Sequence, residues 1–372
     1  MEKLPSTPHF IAVYSTAAHD PAQLQAQMAA MAGSARWSGG TSCRGVMTEE
    51  GYHTGPSVVG MLGIWDPGGG YGVGTAEIGD APRQAGRDAL QRAIMDAQRP
   101  GESPMLLWSC GAPGHEEEVI AGIIEVVGPS VPLVGGSSAD DHVEGRWWQH
   151  ASGFWSQDGL ALAAFYPSTL VGTAFHSGYS PTKRSGVVTA ARGRTVLEID
   201  GRPAAAVYDT WADGLLQRRP ADQSVLRWTA LTPLGRQVED VQGVPMFLLS
   251  HPAAIGDAGA IELFTGVQEG DTLVLMVGDR DSLVHRAGRV ARSAVRSLDD
   301  APLAGALVTY CGGCMMAIQD DMDKVADVLR TSLYGKPFLG SFTFGEQGCF
   351  LNGQSRHGNL MINAVCFGAE DG

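Results

Sequence analysis

The sequence has 372 residues, of which 44% are apolar and 18% charged, so it can bury a sizeable core and is not that of a disordered chain. Its net charge of −14 excludes the basic surface needed to bind nucleic acids or anionic membranes. No apolar run approaches a membrane span, and the first five residues lack the features of a signal peptide. Six cysteines are too few for a disulfide scaffold. We therefore expect an acidic, cytoplasmic α/β protein without nucleic-acid or membrane partners.

Cap and turn signals in the first part of the chain predict alternating strands and helices. A strand is expected at 10–14, and the helix that follows has Asp20 as its N-cap and Pro21 at its first position. Hydrophobic periodicity then predicts further strands and helices at 58–65, 82–97, 105–109, 116–127, 131–134 and 160–165. The glycine-rich run 68–74 precedes no helix at the spacing of a dinucleotide-binding motif, which predicts a loop.

The second half of the sequence repeats this order. Ala-Gly-Arg helices at 85–89 and 287–291 each precede an apolar strand that ends in Cys-Gly, at Cys110 and Cys311. Each Cys-Gly turn leads to a second helix and to a strand that begins with proline, at 131–136 and 336–341. This spacing predicts two homologous lobes, residues 1–175 and 176–372, that arose by internal duplication. Each lobe is expected to be a layered mixed β-sheet with flanking helices, and extra strands are expected within 186–200 and 246–277.

The motif Cys311-Gly312-Gly313-Cys314 lies between a strand and a helix. A helix N-terminus lowers the pKa of a thiol, so a C-x-x-C pair in this place is typical of redox chemistry. As a zinc site the motif is incomplete, and Met315 stands where a c-type haem attachment needs histidine. The alternative is structural: Cys311 would match Cys110 as a buried residue at a strand end.

A Gly-Glu turn at Glu346 is followed eleven residues later by His357, before the last predicted strand. A return of this kind brings both side chains to one end of a sheet. There they would form a Cys–His–Glu nucleophile system with the thiol pair, or one face of a ligand pocket. In the first lobe the equivalent turn is 136–141, which carries Asp140. The alternative is a solvated turn held by polar side chains.

A run of arginines follows helical spacing in the second lobe. Arg286, Arg289, Arg292 and Arg296 recur at steps of three to four residues. Such a run is typical of a solvated helix face, which would offer a contact for an acidic partner.

Several segments in this order resemble the FIST family, bacterial proteins with an N-terminal and a C-terminal FIST domain. The resemblance rests on 40–45, 116–122 and 134–141 in the first lobe, and on 194–204, 269–271, 344–347 and Asn359 in the second. It implies a small-ligand sensor linked to signalling. Some members bind haem and report nitric oxide to a histidine kinase. The sequence has no kinase, receiver or cyclase segment, so its output is expected to pass through a partner.

Three hypotheses follow. The first is a cytoplasmic sensor that holds a small ligand between the lobes. Its predicted binding residues are Cys110, Gly135, Gly136, Ser137, Asp140, Cys311, Gly312, Cys314, Glu346, His357 and Asn359.

The second hypothesis is a thiol-dependent enzyme of redox or group-transfer type. In it Cys311 is the nucleophile, Cys314 resolves the intermediate, and His357 with Glu346 is the acid–base pair. The third is a haem-binding nitric-oxide sensor that acts on a histidine kinase. Ten histidines and six cysteines point to no particular axial ligand, so no metal-binding residue is assigned.

Overall fold

A computed structural model of the chain describes residues 7–220, 223–241, 243–350 and 352–369. The five N-terminal residues considered above therefore lie outside it. The described residues form a mixed α/β structure with four β-sheets. Among these residues, no helix is both long enough and apolar enough to cross a membrane.

The chain begins with a unit of strand, helix, parallel strand, hairpin and return strand. The elements of this first unit are β1 (Phe10–Ser15), α1 (Pro21–Met31), β2 (Arg36–Thr41), β3 (Gly45–Thr48), β4 (Gly51–Thr54) and β5 (Val59–Ile64). As predicted, the Asp20 carboxylate caps α1 by accepting hydrogen bonds from two backbone N–H groups. A further strand and helix connect this unit to the next, β6 (Gly70–Glu77) and α2 (Pro82–Asp96).

The same unit occurs twice more. The second copy comprises β7 (Leu106–Gly111), α3 (Glu116–Val127), β8 (Leu133–Ser137), β9 (Gln149–Ala151), β10 (Phe154–Ser156) and β11 (Gly159–Tyr166). It is followed by β12 (Val171–Ser177) and, after an insertion, by α7 (Arg280–Arg296). The third copy comprises β21 (Leu303–Cys311), α8 (Gly312–Ala317), α9 (Met322–Ser332), β22 (Phe338–Thr343), β23 (Glu346–Cys349), β24 (Ser355–Gly358) and β25 (Met361–Gly368).

The insertion carries its own sheet and core. Its strands are β13 (Ser180–Arg192), β14 (Thr195–Ile199), β15 (Arg202–Pro203), β16 (Leu234–Val241), β17 (Val244–Ser250), β18 (Pro252–Ile255), β19 (Ile261–Leu263) and β20 (Thr272–Val277). Three short helices lie among them, α4 (Ala204–Trp211), α5 (Leu215–Arg218) and α6 (Val225–Thr229). The order in the main path of this sheet is β17-β16-β20-β13-β14-β19-β18.

The hairpin of each unit completes the sheet of another unit. Hairpin β3–β4 of the first unit pairs with β22 of the third, and hairpin β9–β10 of the second pairs with β2 of the first. Hairpin β23–β24 of the third unit pairs with β8 of the second, which places Glu346 beside Gly136 and Gln347 beside Gly135. The three exchanges close a ring, so all three of these sheets contain strands from distant parts of the chain.

The repeated halves predicted from the sequence are confirmed, and the mixed α/β fold with them. The Ala-Gly-Arg repeat has a packing reason in both copies. A Cβ on Gly86 would lie 2.4 Å from the Val119 carbonyl oxygen in α3, and one on Gly288 would lie 2.5 Å from Val328 Cγ1 in α9. Glycine therefore allows α2 to approach α3 and α7 to approach α9 closely. The first unit, β1 to β5, is a further and shorter copy of the repeat, which the sequence analysis did not detect.

The predicted division between residues 175 and 176 falls inside β12. This strand pairs antiparallel with β25 from Val171 to Ser177. This pairing places a strand from the middle of the chain beside the last described strand, in one sheet. The division remains a prediction.

The glycine-rich run 68–74 is a strand from Gly70 onward, so the prediction of a loop was wrong. Helix α2 lies directly on this strand. A Cβ on Gly72 would lie 2.1 Å from the Ala93 carbonyl oxygen, and one on Gly74 would lie 1.9 Å from that of Ala89. The glycines therefore serve close packing of a helix on a sheet, which a propensity argument does not detect.

A substitution at Gly136 tests the hairpin exchange, because this residue lies where β8 pairs with the hairpin of the third unit. A Cβ on Gly136 would lie 2.6 Å from Thr343 Cγ2 and 2.8 Å from Thr309 Cγ2. We expect Gly136→Ala to lower the free energy of unfolding by about 1–3 kcal/mol through overpacking, as measured by urea denaturation.

The matched control is Gly111→Ala in the adjacent strand. Its Cβ would have Leu160 Cδ1 as nearest neighbour, at 3.5 Å, which is ordinary contact. The control is expected to change stability by less than about 1 kcal/mol. Equal effects of the two substitutions would contradict the close approach at Gly136.

Candidate functional site

Hairpin β23–β24 separates two buried polar clusters. Adjacent residues of a strand face opposite sides of a sheet, so Glu346 and Gln347 point in opposite directions. We call the residues on the Glu346 side the thiol cluster: Tyr179, Arg286, Cys311, Cys314 and Glu346. We call those on the Gln347 side the hairpin junction: Glu116, Ser137, Arg194, Gln347 and His357.

The C-x-x-C motif forms the start of α8, as its sequence context predicts. Cys311 ends β21 and is the N-cap of α8, and Cys314 lies in the first turn. Both side chains are buried, with 4% of Cys311 and none of Cys314 exposed. The Tyr179 hydroxyl lies 3.4 Å from Cys314 Sγ and donates to the Ala230 carbonyl at 2.6 Å. The motif is therefore enclosed by the insertion as well as by the third unit.

Arg286 is buried in the thiol cluster, which corrects the prediction that it belongs to a solvated face. Only 1% of the residue is exposed, and its guanidinium lies over the rings of Tyr310 and Tyr179, 4.9 and 5.7 Å from their centroids. Its Nη1 donates to the Leu360 carbonyl at 2.8 Å. Within the described residues, its Nε and Nη2 have no hydrogen-bond partner. The reason for this position is helical geometry, since residue 286 lies on the same side of α7 as buried Leu283 and Val290.

The surroundings of the two thiols shift their acidity in opposite directions. Burial alone would raise the pKa of Cys314, but the Cys311 thiol, the Arg286 guanidinium and the Tyr179 hydroxyl lower it to about 6. The pKa of Cys311 is raised well above its usual value by burial, by the Cys314 side chain and by the Glu346 carboxyl. Cys314 is therefore the thiolate of the pair, and Cys311 keeps its proton.

Glu346 is fully buried on the same side. Its Oε1 accepts a hydrogen bond from Thr343 Oγ1 at 2.8 Å, and its Oε2 accepts one from the Met361 N–H at 3.0 Å. Burial raises the pKa of this carboxyl well above its usual value despite these bonds, and the nearby Cys314 adds to the effect. Burial therefore favours the protonated form of this side chain.

On the other side of the hairpin, Glu116 is the centre of the hairpin junction. Its Oε1 accepts from Ser137 Oγ at 2.9 Å and its Oε2 from Arg194 Nη2 at 2.6 Å. Burial would raise its pKa, but the imidazole of His357 and the Arg194 guanidinium lower it to about 2. Glu117 also pairs with Arg194 and accepts from the Gly266 N–H at 2.7 Å. The start of α3 is thus joined to the insertion by charged contacts.

His357 completes the hairpin junction rather than the thiol cluster. Its Nε2 lies 3.8 Å from Glu116 Oε1 and 3.4 Å from the Phe264 carbonyl oxygen. Gln347, its pairing partner across the hairpin, donates from Nε2 to Ser137 Oγ at 3.3 Å. Within the described residues, His357 Nδ1 and Gln347 Oε1 are buried without a hydrogen-bond partner.

The structure brings together only part of the predicted Cys–His–Glu system. Glu346 lies with Cys311 and Cys314, whereas His357 contacts Glu116 on the opposite face of the hairpin. The carboxylate that orients the imidazole is therefore Glu116 and not Glu346. The predicted assignment of these residues as catalytic stays a prediction.

Four of the other predicted binding residues lie in three places, and all four are buried. Gly135 and Gly136 pair with the hairpin, and Gly312 begins α8 against Thr343. Asn359 accepts from the His251 N–H at 3.4 Å, next to the insertion.

Cys110 and Asp140 lie apart from both clusters. Cys110 Sγ lies 3.3 Å from Ser138 Oγ, and burial raises the pKa of its thiol to about 12. Asp140 accepts hydrogen bonds from the N–H groups of His142, Val143, Glu144 and Arg146. Its carboxylate therefore organises its own loop.

A haem needs an axial ligand beside an apolar slot. Near the thiol cluster, His251 Nε2 lies 3.0 Å from the Leu226 carbonyl oxygen, and a Cβ on Gly313 would lie 3.5 Å from its Cε1. A Cβ on Gly345 would lie 2.3 Å from Cε1 of His357. Backbone or polar groups therefore lie against both imidazoles, where a haem would need an apolar slot. The residues at the predicted pocket do not fit a haem. In the described part of the chain, no three His, Cys, Asp or Glu residues are grouped to hold a metal ion.

Sequence reasoning missed four members of these clusters: Glu116, Arg194, Gln347 and Arg286. Glu116 begins the helix predicted at 116–127 and the segment 116–122 that resembles the FIST family, and neither pattern marks it as a site residue. A signal for Arg286 was present, because helical periodicity places it three residues after Leu283 and four before Val290. For Arg194 and Gln347 no local signal exists, since their partners lie far away in the chain.

The charged contacts of Glu116 predict an acid-sensitive contribution to stability. Its folded-state pKa of about 2 lies below the ordinary 4.5, so the contribution is complete above pH 4.5 and is lost as the pH falls through 2. We expect Glu116→Gln to lower the free energy of unfolding at pH 7 by about 1–3 kcal/mol, measured by urea denaturation. The difference from wild type should shrink between pH 4.5 and 2.

Glu118→Gln is the matched control in the same helix. The Glu118 side chain is 54% exposed and pairs with Arg83 at 3.0 Å. A solvated pair of this kind contributes little, so we expect a change below about 1 kcal/mol. The assignment fails if both variants show the same pH dependence.

Comparison with known families agrees with this architecture. The FIST N domain model matches residues 9–202, and the FIST C domain model matches residues 204–349. No curated protein matches the chain. FIST domains are generally associated with sensing in signal transduction. The two matches cover nearly all of the sequence, and this chain belongs to the FIST family.

Proposed function

We propose that this protein is a signalling sensor that binds a small polar ligand at the hairpin junction. The observation that carries the proposal is a pair of buried polar atoms, His357 Nδ1 and Gln347 Oε1, that lack a hydrogen-bond partner among the described residues. Buried polar atoms are rarely left unpaired, because each costs about 1–3 kcal/mol. A ligand that pairs with both atoms would recover this free energy.

The chemistry of the junction indicates what the ligand offers. His357 Nε2 faces a carboxylate and a backbone carbonyl, so in the neutral imidazole the proton stays on Nε2 and Nδ1 is an acceptor. Gln347 Oε1 is an acceptor, and Glu116 is anionic. The ligand is therefore a donor of N–H or O–H groups, such as an amine, an alcohol or an amide.

The position of the junction supports a sensory role. Glu116 and Ser137 belong to the segment matched by the FIST N domain, and Gln347 belongs to that matched by the FIST C domain. The junction reaches the protein surface at Arg194, since a quarter of this side chain is exposed. A ligand bound there would tighten contacts between the two segments, and a separate partner, such as the histidine kinase implied by the family, would read the change.

A thermal-shift measurement with panels of primary amines, polyols and simple amides tests this proposal. For a compound that binds the wild type, we expect Tm to rise by about 2–4 °C for each kcal/mol of binding free energy. Gln347→Met removes one acceptor and should abolish the shift. Gln84→Met, an exposed position on α2, should leave it unchanged.

Two results would count against the hairpin junction. A compound that stabilises wild type and Gln347→Met equally binds elsewhere. The absence of any shift with all three classes would contradict a ligand that donates N–H or O–H groups.

A further inference from the structure

The thiol cluster contains a buried cation whose counter-ion is not a carboxylate. Arg286 is 1% exposed, and within the described residues no Asp or Glu forms an ion pair with it. An unpaired buried charge is costly, so a guanidinium in this place favours an anion nearby. Arg286 lies over the ring of Tyr179, and the Tyr179 hydroxyl lies 3.4 Å from Cys314 Sγ. The Cys311 thiol and this guanidinium lower the pKa of Cys314, and we call Arg286 and Cys314 the thiolate–guanidinium pair.

A second thiol is placed to react with the first. Cys311 and Cys314 are separated by two glycines in the first turn of α8, and their side chains are within hydrogen-bonding range. The pair shares the spacing of thiols that close reversibly as a disulfide. The two groups are also unequal, since one is a thiolate and the other keeps its proton.

We propose that Cys311 and Cys314 form an oxidation site that reduces a small hydroperoxide, closes as a disulfide, and transfers its negative charge to Glu346. This site lies on the opposite side of hairpin β23–β24 from the hairpin junction. The inference goes beyond the proposed ligand-binding function and does not depend on it.

The first step consumes the thiolate. The Cys314 sulfur attacks one oxygen of the hydroperoxide, the O–O bond breaks, and a sulfenic acid forms while hydroxide or alkoxide leaves. In the second step the Cys311 sulfur attacks the Cys314 sulfur, the S–O bond breaks, and water leaves with the Cys311 proton. The two thiols are oxidised by two electrons and the peroxide is reduced by two.

Glu346 balances the charge of these steps. It is a protonated acid in the reduced protein, and it lies in the field of both thiols and of Arg286. When the thiolate is consumed, Arg286 loses its anion, and Glu346 ionises to replace it. Its proton neutralises the leaving hydroxide, so the net products are a disulfide, a carboxylate and water or alcohol. The buried cluster keeps one positive and one negative charge throughout.

The packing around the thiols selects for small oxidants. Cys314 is fully buried and Cys311 is 4% exposed. Half-buried Gly313 lies beside Cys311, where a Cβ would be 3.5 Å from its sulfur, so a residue without a side chain forms the cover. We therefore expect a molecule the size of hydrogen peroxide, and not a bulky disulfide such as oxidised glutathione, to reach the thiols.

The test treats the full-length reduced protein with hydrogen peroxide, followed by denaturation, alkylation and peptide mass spectrometry. In wild type we expect a peptide pair joined at Cys311 and Cys314. In Cys311→Ser the reaction should stop at the sulfenic acid, one oxygen added at Cys314. In Cys314→Ser, oxidation at position 311 should be at least about 100-fold slower, since little thiolate remains.

Cys366→Ser is the matched control. This thiol is buried too, but burial raises its pKa to about 12 and no cation offsets the effect. The control should react at the wild-type rate. The proposal is overturned if Cys314→Ser reacts as fast as wild type, or if the disulfide involves other cysteines. It is also overturned if oxidised glutathione reacts as readily as peroxide with the folded protein.

The pH dependence of the peroxide reaction supplies an independent readout. The groups that face Cys314 are Arg286 on α7, Tyr179 before β13, Tyr310 and Cys311 on β21, and Glu346 on β23. With the pKa of Cys314 lowered to about 6, the rate should rise through pH 6 and level off by pH 7. A rate that keeps rising toward pH 9 would show an ordinary thiol and overturn the thiolate–guanidinium pair.

Infrared difference spectroscopy tests the role of Glu346 separately. On oxidation, wild type should lose the C=O stretch of a protonated carboxylic acid and gain a carboxylate band. Glu346→Gln should show neither change, while Cys366→Ser should show both. Disulfide formation without loss of the carboxylic acid band in wild type would overturn the charge transfer to Glu346.

Discussion

The exchange of hairpins among three repeated units is the constraint on which the rest of this structure depends. No unit can complete its own sheet, because the edge of β2, β8 or β22 is covered by a hairpin from another unit. An uncovered edge strand would expose unpaired backbone groups and invite association. Pairing across the chain therefore satisfies the backbone and also fixes the turns at Gly136 and Glu346 relative to each other.

Hairpin β23–β24 shows how this constraint produces chemistry. Alternation along β23 sends Glu346 to the thiols and Gln347 to His357 and Ser137. Two clusters with opposite electrostatic character thus share one hairpin. In one, the pKa of a buried carboxyl is raised and that of a nearby thiol is lowered; in the other, an imidazole and an arginine lower the pKa of a buried carboxyl. Since the same backbone bears both, a change in the hydrogen bonds of Glu346 can reach Gln347 and His357 at the proposed ligand site.

The sequence predicts local structure and repeated order well, because those depend on periodicity, caps and turn residues. The Asp20 cap, the span of α3 and the C-x-x-C motif at the start of a helix all agree with the structure. The sequence does not predict which side chains meet across a sheet. His357 was expected beside Glu346 and lies beside Glu116 instead. A one-residue change of strand register decides such pairs, and no local signal fixes it. Arg286 was misassigned because a charged residue on an amphipathic helix is usually solvated.

The ring of exchanged hairpins also determines when the chain can fold. Sheets that contain β3 and β8 gain their last partners only after residues beyond 338 have been synthesised. Contacts of such large sequence separation give a high contact order, which slows folding and prolongs exposure of unpaired edges. During translation the strands of the N-terminal segment therefore stay incompletely paired until the C-terminal strands have been synthesised. Folding of this protein is expected to be a late, concerted event rather than the stepwise docking of two finished domains.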